Sequence, residues 1–229
     1  ILENDAVLTP QQRMSLLRNV RSEAQWLIRI VENLLSVTRI NGENARINTE
    51  DEVVEEIISS AVIKFSKRFP EASVEVKMPE EFLMVAMDGV LIEQVLVNLL
   101  ENAVLHGKTY TKIWIVVTHT PGRVEIAVED DGQGIKESVL PVMFEGKISS
   151  DEEESDSKRN MGIGLSVCHS IVKAHKGGMH AENRAEGGAR ISFSNENITA
   201  ALVSIGRRQL ARQTVLSCFM VRSNTIIFF

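Results

Sequence analysis

The chain has 229 residues, room for one domain with an appendage or for two small domains. Its net charge of −6 and pI of about 5.5 argue against a general nucleic-acid binder. Two cysteines, Cys168 and Cys218, lie far apart without metal-ligand spacing, which suits a reducing compartment and gives no disulfide framework. No apolar run approaches the roughly 18 residues of a membrane span, and neither a signal-peptide pattern nor an internal repeat is visible.

Thr9-Pro10 predicts a helix start, with Thr9 as N-cap and Pro10 at the first helical position. The helix should run to about Ile40 and stop near Asn41-Gly42. Leu17, Val20, Ala24, Leu27, Val31 and Leu34 form a heptad seam. Leu16, Ile30 and Leu35 widen it to the stripe of a helical bundle. One helix cannot bury its own stripe, so self-association through residues 10–40 is expected, with packing on the following domain as the alternative. Residues 42–48 read as a polar linker. Residues 52–69 predict an amphipathic helix (Val53, Ile57, Ile58, Ala61, Val62, Phe65) ended by Pro70. Strands follow at 73–78 and 83–87, then an apolar helix over 90–105. Strands at 112–118 and 123–129 join through Pro121-Gly122. A helix over 163–175 precedes a second hairpin, 178–183 and 189–194, turning at 186–188. This order predicts an α+β sandwich, one sheet covered by helices on one face.

The chemistry concentrates in three stretches. Asn98 and Asn102 lie one turn apart in N-L-L-E-N-A-V-L-H-G, residues 98–107. Their i,i+4 spacing points both at the same space. An unpartnered buried carboxamide costs about 1–3 kcal/mol, so the pair is either bonded to a neighbouring loop or offers hard oxygen ligands to Mg²⁺. E-D-D-G-Q-G-I, residues 129–135, follows a strand. Its Asp130 can accept a hydrogen bond from an exocyclic amine such as that of adenine, and Gly132 and Gly134 permit close backbone approach; an ordinary acidic turn is the alternative. M-G-I-G-L-S, residues 161–166, is expected to open a helix, where free N–H groups and the helix dipole attract anions; a flexible hinge is the alternative. Between the last two lies a polar segment, residues 147–160, of the length and composition of a lid. Its cations are Lys147, Lys158 and Arg159.

The order N-x-x-x-N on a helix, D-x-G-x-G after a strand, Phe144, a lid, then G-x-G-L resembles the ATP-binding domain of sensor histidine kinases, within the superfamily that includes the Hsp90-type ATPases. The resemblance covers residues 54–195. W-L-I-R-I-V-E-N-L-L-S-V-T-R-I, residues 26–40, resembles the second helix of the kinases' dimerisation domain. I-E-Q-V-L-V-N-L-L-E-N-A, residues 92–103, is most similar to the potassium-sensing Kdp-type kinases. The resemblance implies a two-layer α/β sandwich with a mixed sheet, the Bergerat-type ATP-binding fold, preceded by a long bundle-type helix. It divides the chain into a partial dimerisation and phosphoacceptor domain (1–42, second helix only), an ATP-binding catalytic domain (43–197) and a tail (198–229).

It also implies roles. Asn102 would coordinate Mg²⁺, with Asn98 supporting the metal and phosphates. Asp130 would bind the adenine amine in a pocket shaped by Gly132 and Gly134. His106 would lie against the nucleotide, and Phe144 would pack at the base of the lid. Lys147, Lys158 and Arg159 would be phosphate partners, Gly162 and Gly164 would present backbone to the phosphates, and Leu165 completes their motif. Gly187-Gly188-Ala189 matches the family's last glycine box, with Ala189 at its usual threonine. The phosphate-contacting lysine usual three residues after the second asparagine is Leu105, which leaves Lys108 or a lid cation to compensate.

None of His106, His119, His169, His175 and His180 lies on a dimerisation-type helix, so the phosphoaccepting histidine is expected to lie outside this chain, read as a fragment of a longer kinase. Residues 198–229 carry no Asp or Glu, four arginines (Arg207, Arg208, Arg212, Arg222) and an apolar end. They read as a frameshifted or vector-derived tail, a basic amphipathic segment, or an extra covering helix.

The implied function is transfer of the γ-phosphoryl of Mg-ATP to a histidine on a partner helix, for relay to an aspartate of a response regulator. Expected partners are ATP, the regulator and a second copy of the chain, with no nucleic acid. The implied setting is the cytoplasmic portion of a membrane-bound sensor, with membrane contact only through other parts of the full-length protein. Two alternatives stand beside it. One is a nucleotide-binding and dimerisation module with degenerate catalysis. The other is a hydrolytic ATPase of the superfamily, for which the water-activating glutamate would stand where Asn98 is, and an amide is no base.

Overall fold

The computed structural model describes residues 9–41, 47–107, 109–145 and 156–195. Helix α1, Pro10–Asn41, starts in a capping box. The Gln12 N–H donates to Thr9 Oγ1 at 3.2 Å and the Thr9 N–H donates back to Gln12 Oε1 at 2.9 Å. This pairs two N–H groups that a helix start otherwise leaves unmet.

The helix has two working faces. Asn33 and Ser36 are buried, and Val37 and Ile40 pack on the core of the following domain. The seam lies on the other face. Leu17, Val20, Leu27, Val31 and Leu34 are exposed, from 50% at Leu17 to 60% at Leu34. Packing on the following domain therefore does occur, through a mixed face in which Val37 and Ile40 accompany Asn33 and Ser36.

Strand β1, Glu50–Val53, and strand β3, Met84–Met87, pair antiparallel as a separate two-stranded sheet. Residues 52 and 53, expected in the next helix, belong to β1. E-D-E-V carries no alternating apolar pattern, and its extended form is fixed by the ladder with β3 rather than by local preference. Helix α2, Val54–Arg68, follows and buries Val54, Ile57, Ile58, Ala61, Val62 and Phe65.

Five strands form the main sheet: β2 (Val74–Lys77), β4 (Ile113–Thr120), β5 (Arg123–Asp130), β6 (Gly177–Asn183) and β7 (Ala189–Asn195). Their order is β2-β4-β5-β7-β6, with β2 parallel to β4 and the other neighbours antiparallel. Alternation decides the faces. Ile113, Ile115 and Val117 of β4 and Val124, Ile126 and Val128 of β5 point into the core. There they meet α2, helix α3 (Gly89–Gly107) and helix α4 (Asp156–Ala174). Leu96, Leu99, Leu100, Ile171 and Val172 are among the fully buried contributors, each worth about 1.5–3 kcal/mol in area removed from water. The mixed sheet covered on one face agrees with the expected two-layer sandwich; the β1–β3 pair is an addition to it.

Asp88 fixes the start of α3. Its Oδ1 accepts the Leu91 N–H at 3.1 Å as an N-cap. Its own N–H donates to His175 Nε2 at 3.0 Å, while His175 Nδ1 lies 2.8 Å from the Ile171 carbonyl. The buried imidazole thus ties the first turn of α3 to the last turn of α4. The tail (198–229) and most of the polar segment, residues 146–155, lie outside the described residues.

Candidate nucleotide-binding site

A narrow cleft, partly open to solvent, lies between α1, α3 and α4. Arg29, Ile30 and Asn33 line it from α1, Asn98, Glu101, Asn102 and Leu105 from α3, and Gly164 from α4. The i,i+4 spacing does bring Asn98 and Asn102 to one space, but their circumstances differ. Asn98 is buried and engaged. Its Nδ2 donates to Asn33 Oδ1 at 3.1 Å and its Oδ1 accepts from Gln94 Nε2 at 3.2 Å. Asn102 has a buried Nδ2 without a hydrogen-bond partner among the described residues.

The second motif is stapled to the end of the same helix. The Gln133 N–H donates to the Gly107 carbonyl at 3.3 Å, and Gln133 Nε2 donates to the His106 carbonyl at 3.0 Å. A Cβ on Gly132 would lie 2.5 Å from the Gly107 carbonyl oxygen, which explains glycine there. Asn102 is five residues from Gly107, roughly 7.5 Å along the axis at 1.5 Å per residue. The asparagine and aspartate motifs are therefore held in one neighbourhood.

Asp130 closes β5 and is 7% exposed. Burial pushes its pKa up; the N–H groups of Gly132 (2.8 Å) and Ala189 oppose this by bonding the carboxylate. Asp131 behaves oppositely. Desolvation would raise it, but the Thr111 hydroxyl and the N–H groups of Lys112 and Thr111 outweigh that and bring it to about 2. Asp131 thereby anchors the segment between α3 and β4. Gly134 has φ 75°, in the left-handed region, and the next residue is clamped: Asn183 Oδ1 accepts the Ile135 N–H at 2.6 Å and Nδ2 donates to its carbonyl at 2.8 Å.

The other expected site residues divide. Phe144 is half-buried and stacks on His169 with centroids 5.9 Å apart. Gly188, at φ 86°, backs Asp130 so closely that a Cβ would overlap the Asp130 carbonyl. Leu165 is 1% exposed and belongs to the core. Gly162 and Gly164 do not open a helix. Helix α4 begins at Asp156 and places them in its second and third turns, where backbone N–H groups serve the helix itself. Gly164 lines the cleft. Lys108, Lys147 and the side chains of Lys158 and Arg159 lie outside the described residues.

Several site residues were not anticipated. Arg68 Nη1 binds Glu101 Oε1 at 2.7 Å and Nη2 binds Glu32 at 2.9 Å, with Arg29 Nε 3.8 Å from Glu101. This partly buried network joins α1, α2 and α3 beside the asparagines. Arg184 and Asn183 support the aspartate loop from the β6–β7 hairpin. Each is an ordinary polar residue in sequence; only the spatial partner distinguishes it. Cys168 is fully buried and its thiol is pushed up to about 12 by desolvation, which excludes it as a nucleophile.

The residues present fit Mg²⁺ delivered with a nucleotide. Mg²⁺ takes one or two protein oxygens and completes its shell with phosphates and water. No group of three His, Cys, Asp or Glu able to hold a metal occurs among the described residues; the unmet Asn102 Nδ2 is a donor that suits a phosphate oxygen, and the Oδ1 of the same amide is the atom able to ligate Mg²⁺.

Residues 87–196 match the family described as Histidine kinase-, DNA gyrase B-, and HSP90-like ATPase. Over 194 residues the chain is 40% identical to the sensor protein KdpD of Clostridium acetobutylicum, covering 85% of this chain and 22% of that protein. The chain belongs to the sensor histidine kinases. It spans about a fifth of the length of that KdpD, and 47% of the adaptive-response sensory kinase SasA of Synechococcus elongatus, to which it is 30% identical over 79% of its own length. The kinase fold recurs in full-length ShkA in complex with AMPPNP, at TM-score 0.62 and 21% identity over 87% of this chain and 42% of that one. It recurs in the histidine kinase ThkA in complex with the response regulator TrrA, at TM-score 0.65 and 21% identity over 85% and 54%. No helix among the described residues of this chain is long and apolar enough to cross a membrane.

Proposed function

We propose that this chain binds Mg-ATP in the α1–α3–α4 cleft and passes the γ-phosphoryl to a histidine on a separate helix docked against α1. The observation that carries the reading is Asn102: its buried Nδ2 is a donor without a partner, suited to a phosphate oxygen, on the helix whose end is tied to the Asp130 loop. Asp130 would accept the adenine amine, with its carboxylate held by Gly132 and Ala189. Mg²⁺, where bound, would supply neutralisation of the charge that develops on the phosphates. The chain's own part is positioning. Asn102 would hold the metal through its amide oxygen, Gly134 with Asn183 and Ile135 would shape the base pocket, and Phe144 stacks on His169. In the transfer an imidazole nitrogen of the acceptor bonds to the γ-phosphorus as the bond to the bridging oxygen breaks and ADP leaves.

The ShkA complex with AMPPNP supports an adenine nucleotide as ligand, and the ThkA–TrrA complex supports a response regulator as the next acceptor. The exposed α1 seam is the surface we assign to the acceptor helix and to a second copy of the chain. The hydrolytic alternative is disfavoured by two residues. Asn98 cannot act as a base, and Glu101 is committed to Arg68.

The test is radiolabelled ATP with the chain and an added acceptor-helix peptide carrying a histidine. Acid-labile label on the peptide is expected. ATP binding without label on the peptide at any concentration overturns phosphoryl transfer and leaves a binding module.

A further inference from the structure

Asp130 sits where the sheet changes its bonding. The β5–β7 ladder runs to the pair Glu129–Arg190 and goes no further. Beyond it, the Ala189 N–H is turned to the Asp130 carboxylate, which leaves the Asp130 main-chain carbonyl without a strand partner on that side. Arg184 supplies the missing donor, Nη1 to the carbonyl oxygen at 3.0 Å.

The guanidinium is itself held. Its Nε lies 3.5 Å from Glu129 Oε2, and its carbon is 4.8 Å from the Trp114 ring centroid. Glu129 is fixed in turn by Arg190, which also binds Glu125 at 2.8 Å. The Arg184 main chain is pinned as well: its N–H donates to the Gly188 carbonyl at 3.0 Å and its carbonyl accepts the Gly187 N–H at 3.1 Å. These contacts fix the side chain between the outer face of the sheet and the end of β5. A planar fork stacked on an aromatic ring while bonding two oxygens is an arginine arrangement that lysine cannot reproduce.

We infer that Arg184 is a positioning residue for adenine recognition, setting the height and direction of the Asp130 carboxylate through its main-chain carbonyl. The inference rests on the reading that Asp130 accepts the adenine amine. It predicts a selective defect. Freed at its carbonyl, the Asp130 carboxyl is no longer held in place against the base. The phosphate end of the site, built on Asn102, is untouched.

The experiment measures, on the full chain, affinity for Mg-ATP and for Mg-tripolyphosphate, which lacks the base. The proteins are wild type, Arg184→Ala, Arg184→Lys, Arg184→Gln and Asp130→Asn. Circular dichroism checks folding, and Arg184→Gln, which keeps a donor of moderate length, serves where the alanine variant does not fold. ATP affinity should fall about tenfold in the Ala and Lys variants, the size of one charge-assisted hydrogen bond. Tripolyphosphate affinity should be unchanged, with a smaller ATP loss in Arg184→Gln. If Asp130→Asn weakens ATP while the folded Arg184 variants bind it like wild type, or lose both ligands equally, the role of Arg184 is overturned. If Asp130→Asn itself leaves ATP binding intact, the adenine reading beneath it is the one that fails.

Discussion

Asn98 of α3 and Asn33 of α1 share a buried amide–amide hydrogen bond of 3.1 Å, which commits the first asparagine of the motif to the preceding helix. Asn33 Oδ1 lies 3.4 Å from Gln94 Nε2 as well, so three carboxamides form one cluster. Replacing Asn33 by leucine leaves the Asn98 donor buried and unmet. Such a group costs about 1–3 kcal/mol, so the unfolding midpoint in urea should fall accordingly. An unchanged midpoint would show that α1 does not hold this position in solution.

Asn102 should be the residue through which metal dependence enters. Chelating Mg²⁺ should weaken ATP binding to the wild type strongly. In Asn102→Ala, ATP should bind weakly with metal present, and chelation should change it little further. Calorimetric titration with and without a chelator checks this. Equal metal dependence in both proteins would remove Asn102 from the site.

The pH dependence of ATP binding follows from Asp130. Burial raises its folded pKa above the ordinary aspartate value, so the carboxylate loses its charge at a higher pH than an exposed one. ATP affinity should therefore decline as pH falls through a range above the usual carboxylate titration, with tripolyphosphate affinity insensitive to that step. The stability sign is opposite. A raised carboxyl pKa contributes stability present below the unfolded pKa and lost as pH rises through the folded one. Adenine recognition is thus favoured at the pH where Asp130 detracts from folding.

Asp131 carries the contrary sign. Its folded pKa of about 2 lies below the unfolded value, so its contribution is present above the unfolded pKa and is lost as pH falls through about 2. Asp131→Asn should melt below wild type at neutral pH, and the difference should close in strong acid. Parallel melts across that range provide the measurement; a constant difference would exclude the linkage.

The exposed α1 seam predicts association. Leu27→Glu with Leu34→Glu places charges on the open face, away from the contacts with α3 and α4. Sedimentation should find a dimer for wild type and a monomer for the double variant, with the fold retained. A monomeric wild type at high concentration would leave the seam to the acceptor helix alone.

The sequence by itself determined what depends on local pattern. The 3.6-residue apolar period placed α1, α2 and α3, and two-residue alternation placed β4 and β5 with their inward residues. Glycine and aspartate at fixed offsets marked the candidate nucleotide motifs, because turn conformation and close approach restrict residue type at the position itself. Tertiary structure alone decided the rest. E-D-E-V became β1 because β3 offered a ladder. Helix α4 began at Asp156, ahead of its glycines. The polar face of α1 turned inward because Arg29, Glu32 and Asn33 found Glu101, Arg68 and Asn98 on other helices. A charge or an amide reads the same in sequence whether it meets water or a partner far along the chain. Only the packing that brings the partner within about 3 Å, a hydrogen-bond length, tells them apart.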